Sequence, residues 1–198
     1  MDLGKLSHQL SQQLSHEPSE VSSAKKIPPV ELWDPPFCGD MDLVIKSNGQ
    51  WWQGGTPFTR AKLVSLFSSV LKKENDDYFL VTPVEKIGIQ VEDVPFLIVD
   101  WHFEDSILKV RTQVGDEVSI GPNNPIELRH FNATSNQTDA ATSVETLVPY
   151  CLIRRNLWGR IHQNVMYQWA EIATERKTEH GNELIMHSQD YEFSLGTF

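Results

Sequence analysis

The spacing of apolar and polar residues along this chain predicts most of its elements. Leu3, Leu6, Leu10 and Leu14 recur at helical intervals in a Ser, Gln and His background, the pattern of a short amphipathic helix. Glu17 to Lys26 is polar and reads as a linker. Ile27-Pro28-Pro29 and Asp34-Pro35-Pro36 hold the next piece extended, because proline restricts its own φ and the residue before it. Two apolar runs flank Asn48-Gly49, which predicts a β-hairpin with a type I′ turn. In AKLVSLFSSVLKKE, the residues Leu63, Val64, Leu66, Phe67, Val70 and Leu71 share one wide helical face. Tyr78 to Val81 reads as a buried strand, and Ile87, Ile89 and Val91 alternate as a half-buried strand does. The first core is therefore a hairpin, a helix and two strands.

The second half is richer in strand patterns. Phe96 to Phe103 predicts a strand with Trp101 and Phe103 on one face and His102 on the other. Ile107 to Val114 and Val118 to Ile120 predict a strand and its return across Gly115-Asp116. Gly121 to Pro125 breaks the sheet, after which Ile126, Leu128 and His130 alternate with Glu127 and Arg129. Asn132 to Glu145 is polar and aperiodic, the composition of a mobile loop. Val148 to Arg155 is a further strand. Ile161, Val165, Trp169, Ile172 and Ala173 give a second amphipathic helix, and Asn182–His187 and Tyr191–Leu195 predict two closing strands. Element order recurs between the halves: a strand ending near a Trp, a Gly and an Arg, then a helix, a polar stretch and two strands. The expected fold class is α+β, two small mixed domains built from an internally duplicated strand–helix–strand unit. The expected division is a leader over 1–32, a first domain over 33–95 and a second over 96–198, with the seam at Pro95.

Composition narrows the function classes. The 198 residues suit one large domain or two small ones, and 39% hydrophobic residues suffice for a real core. A net charge of −10 argues against a nucleic-acid polymer as partner, which needs clustered positive charge. Two cysteines, Cys38 and Cys151, are too few for a disulfide framework and fit a reducing cytosol. Asp2, Lys5 and His8 interrupt the first turns, unlike a signal peptide, and no apolar run is long enough to span a membrane. The expected setting is a cytoplasmic, soluble protein without a membrane partner.

Candidate chemistry is sparse. Cys38 lies beside Asp40 and Asp42, which would raise rather than lower a thiol pKa, so a packing or turn role is expected. Of Trp51 and Trp52 at most one faces a core. Gly54-Gly55-Thr56-Pro57 leads into the first helix, with Thr56 as its expected cap and Pro57 at its first position. Glycines there can also let an anion approach free backbone N–H groups. Arg60, expected in the first turn, opposes the helix dipole; it either pairs with an acidic side chain such as Glu85 or awaits an anionic ligand. Arg154, Arg155, Trp158 and Arg160 are the densest positive charge in an acidic chain. They read either as surface arginines paired with carboxylates or as an anion clasp with an indole for stacking. His8 and His16 lack a third ligand, and no HExxH or CxxC occurs, so no metal is assigned. Glu85, Glu92 and Asp93 are the carboxylates available for acid–base work, but no nucleophile accompanies them, and no catalytic residue or cofactor is assigned.

The chain also carries Cys-Gly, Asn-Gly-Gln-Trp, Gly-Thr-Pro-Phe-Thr-Arg, Leu-Val-Ser-Leu-Phe, Leu-Val-Thr-Pro-Val-Glu and Gln-Val-Glu-Asp-Val-Pro-Phe. In these motifs it resembles a family of uncharacterised proteobacterial proteins catalogued as domain of unknown function twelve-eighty-five. The likeness is specific from about Trp33 to Phe96 and looser to about Glu175. The family motif falls on Gly49, Trp51, Gly55, Pro57, Arg60, Thr82, Pro83, Glu85, Glu92, Asp93, Pro95 and Phe96, with Phe58 where an aliphatic residue is expected. The resemblance implies a two-part α+β fold with an internal duplication, whose second part is superficially pleckstrin-homology-like. It also implies a site where the two parts meet, suited to a nucleotide-like molecule, and a role in signalling. Together these readings predict a non-enzymatic cytoplasmic ligand-binding or regulatory protein. Its nucleotide-like anion would be held by Arg60, Trp52, Gly55, Thr82, Glu85, Arg154, Arg155, Trp158 and Arg160, with a signalling protein as partner. The alternatives are an interaction adaptor without a small-molecule site and a phosphate-directed hydrolase.

Overall fold

The structure, a computed structural model, describes residues 27–131, 146–179 and 181–197, Thr146 by its backbone alone. The leucine-spaced leader, His8, His16 and the 132–145 loop fall outside the described residues. Contacts divide the chain into two units. The first holds the described residues up to Lys46 with Gln50–Glu92; the second holds Ser47–Gly49 with the chain from Asp93 onward.

In the first unit a short 3-10 turn, Val30–Leu32, precedes β1 (Phe37–Ile45), β2 (Trp51–Gln53), β3 (Thr56–Pro57), helix α1 (Ala61–Ser69), β4 (Leu71–Glu74), β5 (Asp77–Val81) and β6 (Lys86–Val91). They form one six-stranded sheet in the order β3-β2-β1-β6-β5-β4. All pairs are antiparallel except β1 with β6, which run parallel. Strand alternation sends Leu43, Ile45, Trp51, Leu71, Leu80 and Ile87 to one face, all nearly or wholly buried, where Phe67 and Val70 join the core. Each such side chain contributes about 1.5–3 kcal/mol by leaving water.

Three expectations fail here. The helix does not run through Val70 to Glu74. The hydroxyls of Ser68 and Ser69 donate back to the carbonyls of Ser65 and Leu66, and the chain turns at Val70 into β4. Leu71 thus serves a strand, and three strands follow the helix rather than two. Thr56 and Pro57 do not open the helix either. They form β3, closed by Gly54 and Gly55 with φ of 55° and 74°, the two positive values of a type I′ turn, and the helix cap is Arg60. At Asn48-Gly49, by contrast, only Gly49 has positive φ (81°). The Lys46 N–H donates to the Gln50 carbonyl around a three-residue loop, so the turn is not I′.

The second unit contains β7 (Phe96–Glu104), β8 (Ile107–Thr112), β9 (Glu117–Ser119), β10 (Ile126–Phe131), β11 (Thr146–Arg154), β12 (Leu157–Ile161), helix α2 (Gln163–Ile172), β13 (Thr174–Thr178), β14 (Gly181–Ser188) and β15 (Tyr191–Thr197). One sheet has the order β10-β11-β12-β7-β8-β9, with β12 and β7 parallel; β13-β14-β15 make a separate antiparallel sheet. The larger sheet turns Phe96, Ile98, Leu108, Val110, Cys151 and Ile161 inward, where Trp169 and Val165 of α2 and Ile185, Met186 and Phe193 are also buried. The Ser188 hydroxyl ties the layers: it donates to the Ile120 carbonyl and accepts the Leu108 N–H, while the Tyr191 hydroxyl accepts the Ile126 N–H. A Cβ on buried Gly159 would meet Ile153 at 3.1 Å and Phe96 at 3.2 Å, so β12 packs closely only as glycine.

Both units order hairpin, helix and a three-stranded meander. They differ in closure: β6 returns to pair with β1, whereas β15 stays in its own sheet and lies against β10 and β11. The result is a two-domain, sheet-rich mixed fold with few helices. Among the described residues no helix is long and apolar enough to cross a membrane.

Candidate functional site

Strand pairing in the second unit sets Arg129 of β10, Tyr150 of β11 and Trp158 and Arg160 of β12 on one face of the larger sheet. The Arg129 guanidinium lies 3.7 Å from the centroid of Trp158, with Tyr150 at 5.6 Å. Its Nε and Nη2 donate to one carboxylate oxygen of Glu127 at 3.1 and 2.8 Å, an exchangeable pair since both side chains are well exposed. Arg160 covers Phe131 at 4.1 Å. It donates from Nε to Asp93 at 2.9 Å and from Nη2 to the Ser47 carbonyl at 2.7 Å. The Tyr150 hydroxyl donates to the other Asp93 oxygen at 2.9 Å. Burial, reinforced by the Asp93 charge, holds the Tyr150 phenol well above its ordinary pKa, so it remains a donor.

The remaining arginines of that segment go elsewhere. Arg154 turns to the buried side, where it covers Phe96 at 4.5 Å and pairs with Asp116; neither side chain is more than about a tenth exposed. Its role there is an internal ion pair, and the structure does not bring it to Trp158. Arg155 sits in the β11–β12 turn at φ 56°, partly buried, and desolvation pulls its pKa down.

The first unit holds the other predicted residues, with Thr82 beside Glu85 in one turn and Trp52 and Gly55 in one hairpin. Arg60 is exposed at the head of α1 and makes no ion pair with Glu85, so the expected internal pair does not form. Thr82 is buried, and its hydroxyl accepts the N–H groups of Val84 and Glu85, which binds Thr82 and Glu85 into one turn. Gly55 lies in the β2–β3 turn. Trp51 is the core member of the tryptophan pair; Trp52 is half-buried, donates to Gln50 and carries Lys46 at 5.8 Å. Among the candidate acid–base carboxylates, Glu92 pairs with Lys46 at 2.6 Å and Asp93 with Arg160.

Two family models cover the chain: the N-terminal domain of domain of unknown function DUF1285 matches residues 28–94, and its C-terminal domain matches residues 95–195. The crystal structure of a DUF1285 family protein from Silicibacter pomeroyi DSS-3 is 36% identical, with a TM-score of 0.73 over 88% of this chain and 90% of that one. This chain belongs to the DUF1285 family. A second DUF1285 family crystal structure, from Shewanella baltica OS155, is 31% identical and covers 66% of this chain and 91% of that one, with a TM-score of 0.49. No curated protein matches.

The residue that sequence reasoning missed in this DUF1285 protein is Arg129. Alternation in β10 already put it on the face away from Ile126 and Leu128. Its meeting with Trp158 depends on the order β10-β11-β12, which no local pattern reveals. Of the two thiols, Cys38 is exposed, whereas Cys151 is buried and burial pushes its pKa up to about 12, which makes it inert. Among the described residues no group of three or more His, Cys, Asp or Glu could hold a metal ion.

Proposed function

We propose that this DUF1285 protein is a non-enzymatic cytoplasmic ligand-binding or regulatory protein, acting in signal transduction, whose ligand is a nucleotide-like anion. The observation that carries the reading is the Arg129 guanidinium stacked on Trp158, whose one ion pair among the described residues is with the exposed Glu127 carboxylate. A phosphate can replace Glu127 at the same two donors, since arginine forms bidentate contacts with either group. A base then has the rim of Trp158 beside it for stacking. Arg160, already committed to Asp93, adds positive potential and holds the aromatic face in place. The shared order of hairpin, helix and meander supports an internal duplication. The pleckstrin-homology-like comparison rests on the two facing sheets and single helix of the second unit.

A thermal-shift titration with mono-, di- and cyclic nucleotides tests the reading. A ligand bound only to the native state at a hundredfold excess over Kd stabilises by about 2.7 kcal/mol. Tryptophan fluorescence should change with it, the shift should shrink as salt rises, and Arg129→Ala should abolish it while the protein stays folded. A panel in which no nucleotide moves the melt, or a shift that survives Arg129→Ala, defeats the reading. The adaptor alternative has one observation in its favour. An apolar groove of about 460 Å³ in the second unit is lined by Trp101, Phe103, Ile172, Ile185, Met186 and His187, with Phe103 and Ile172 half exposed.

A further inference from the structure

We propose that a hollow beside Asp40 and Gly88, on the outer face of the first unit's sheet, is a binding site for a small organic cation of the alkylammonium class. The site is separate from the Arg129 face and takes a ligand of opposite charge.

The hollow follows from the register of β1 on β6. Phe37 stands beside Lys86 and Asp40 beside Gly88, so three steps along β1 match two along β6. The extra residue is absorbed at Gly39, whose φ of 95° only glycine adopts without strain. The bulge turns both Phe37 and Asp40 to the outer face, next to Lys86 and Gly88, with Phe79 paired to Gly88 from the other side. Gly88 then supplies a floor without a side chain. A Cβ there would collide with the Asp40 carboxylate and touch the Phe37 ring at 3.6 Å, so Asp40 can lie across β6 only because this residue is glycine. The resulting cavity is about 390 Å³, and Asp77 lies on its rim. That is in the range of small-ligand sites, about 300–1,000 Å³.

Charge selects the occupant. Lys86 reaches over Phe79 at 5.0 Å and shares Glu74, at 2.9 Å, with Lys72 at 3.0 Å, so that triad leaves one positive charge against the two negative charges of Asp40 and Asp77. Asp40 and Asp77 are exposed and carry no ion pair among the described residues. Phe37 meets Phe79 edge to face with centroids 6.1 Å apart and keeps 54% of its surface exposed. The cavity therefore combines two carboxylates that carry no ion pair, an excess of negative charge over Lys86, and an open aromatic ring. An ammonium group gains from both, through charge pairing and through the ring quadrupole. An anion is repelled by Asp40 and Asp77, and an uncharged molecule gains only the apolar contact.

The experiment titrates the full chain at low salt with choline and, in parallel, with 3,3-dimethylbutan-1-ol, which has choline's shape without its charge. Binding is followed by calorimetry and by NMR shifts of the Gly88 amide. Choline should bind at least about tenfold tighter than the alcohol, the ratio that corresponds to a single modest charge interaction. Asp40→Asn should cost about tenfold in choline affinity, and Phe37→Ala about two- to fivefold, as expected for an exposed cation–π contact. Both residues are exposed, so both variants should fold. Equal affinity for choline and the alcohol, no saturable choline binding up to about 10 mM, or unchanged affinity in Asp40→Asn overturns the proposal.

Discussion

Exchanging Asp116 for asparagine measures what a buried guanidinium costs once its counter-charge is removed. Asp116 and Arg154 have side chains 6% and 10% exposed, and the Arg154 guanidinium lies over the Phe96 ring at 4.5 Å. The amide keeps the shape of the carboxylate. The backbone of Asp116 also keeps its own bonds, accepting from the Thr112 N–H at 2.8 Å and donating to the Thr112 hydroxyl at 3.0 Å. What the substitution removes is therefore the charge together with one of the two acceptor oxygens. Leaving one partner of a buried pair unmatched costs about 3–5 kcal/mol. Against a total stability of about 5–15 kcal/mol, that is a large share. At about 2–4 °C per kcal/mol for a chain of this size, the melting point should fall by roughly 6–20 °C. Urea denaturation is the assay, with the midpoint moving and the slope unchanged. Replacing both partners, Arg154→Met with Asp116→Leu, should recover most of the loss, because the pair repays its desolvation poorly compared with an apolar fit. A change below about 1 kcal/mol in Asp116→Asn would show that water reaches Arg154, and the internal-pair assignment would fall.

Two further outcomes follow from burial. Phe67 is fully buried and stacks on Phe58 with centroids 6.1 Å apart, so Phe67→Ala should destabilise by about 3–5 kcal/mol in chemical denaturation; a loss under about 1 kcal/mol would mean that this side of α1 is not core. A thiol-specific reagent at mildly alkaline pH should label exposed Cys38 in the native protein and reach Cys151, whose pKa is pushed up to about 12, only after denaturation; two thiols of equal native reactivity would contradict this.

Sequence pattern gave away the elements that bury one face and concealed those that do not. The strands from Phe96 to Ile120, β10, α2 and the closing pair all alternate or repeat against a core, and each stands close to where its periodicity put it. β13, Thr174–Thr178, is exposed at every position and has no period to read. It is a strand because β14 pairs with it and Arg176 reaches Glu183 and Glu192 across the sheet. β4 was hidden differently. Leu71 fits a helix as well as a strand, and Lys72 and Glu74 reveal their outward face only once Lys86 of a distant strand completes the triad. The candidate site was legible in part. Trp158 and Arg160 stood out by residue type, but the strand that sets them on one face, β12, did not: strand was expected only to Arg155, and Ile161, the last residue of β12, was expected in the helix. That Arg154 belongs to Asp116, 38 residues earlier, is a fact of tertiary pairing that composition cannot supply, and it converts an apparent ligand residue into a core one.

The parallel union of β7 and β12 has a bearing on synthesis. The first half of the larger sheet, β7 to β9, is complete in sequence before residue 120, yet the edge of β7 that will hold β12 has no partner until Gly159 follows Phe96. At about 5–20 residues per second, synthesis of the 63 residues from Leu97 to Gly159 keeps that edge open for roughly 3–13 s on the ribosome. The exposed segment is Phe96-Leu97-Ile98, which is almost wholly buried in the finished protein and rich in strand-forming side chains. A nascent chain of this protein is thus most open to chaperone capture or to wrong pairing during that interval. Substitutions that slow translation or weaken β12 should lower yield by way of aggregation, even where the finished fold is as stable as before.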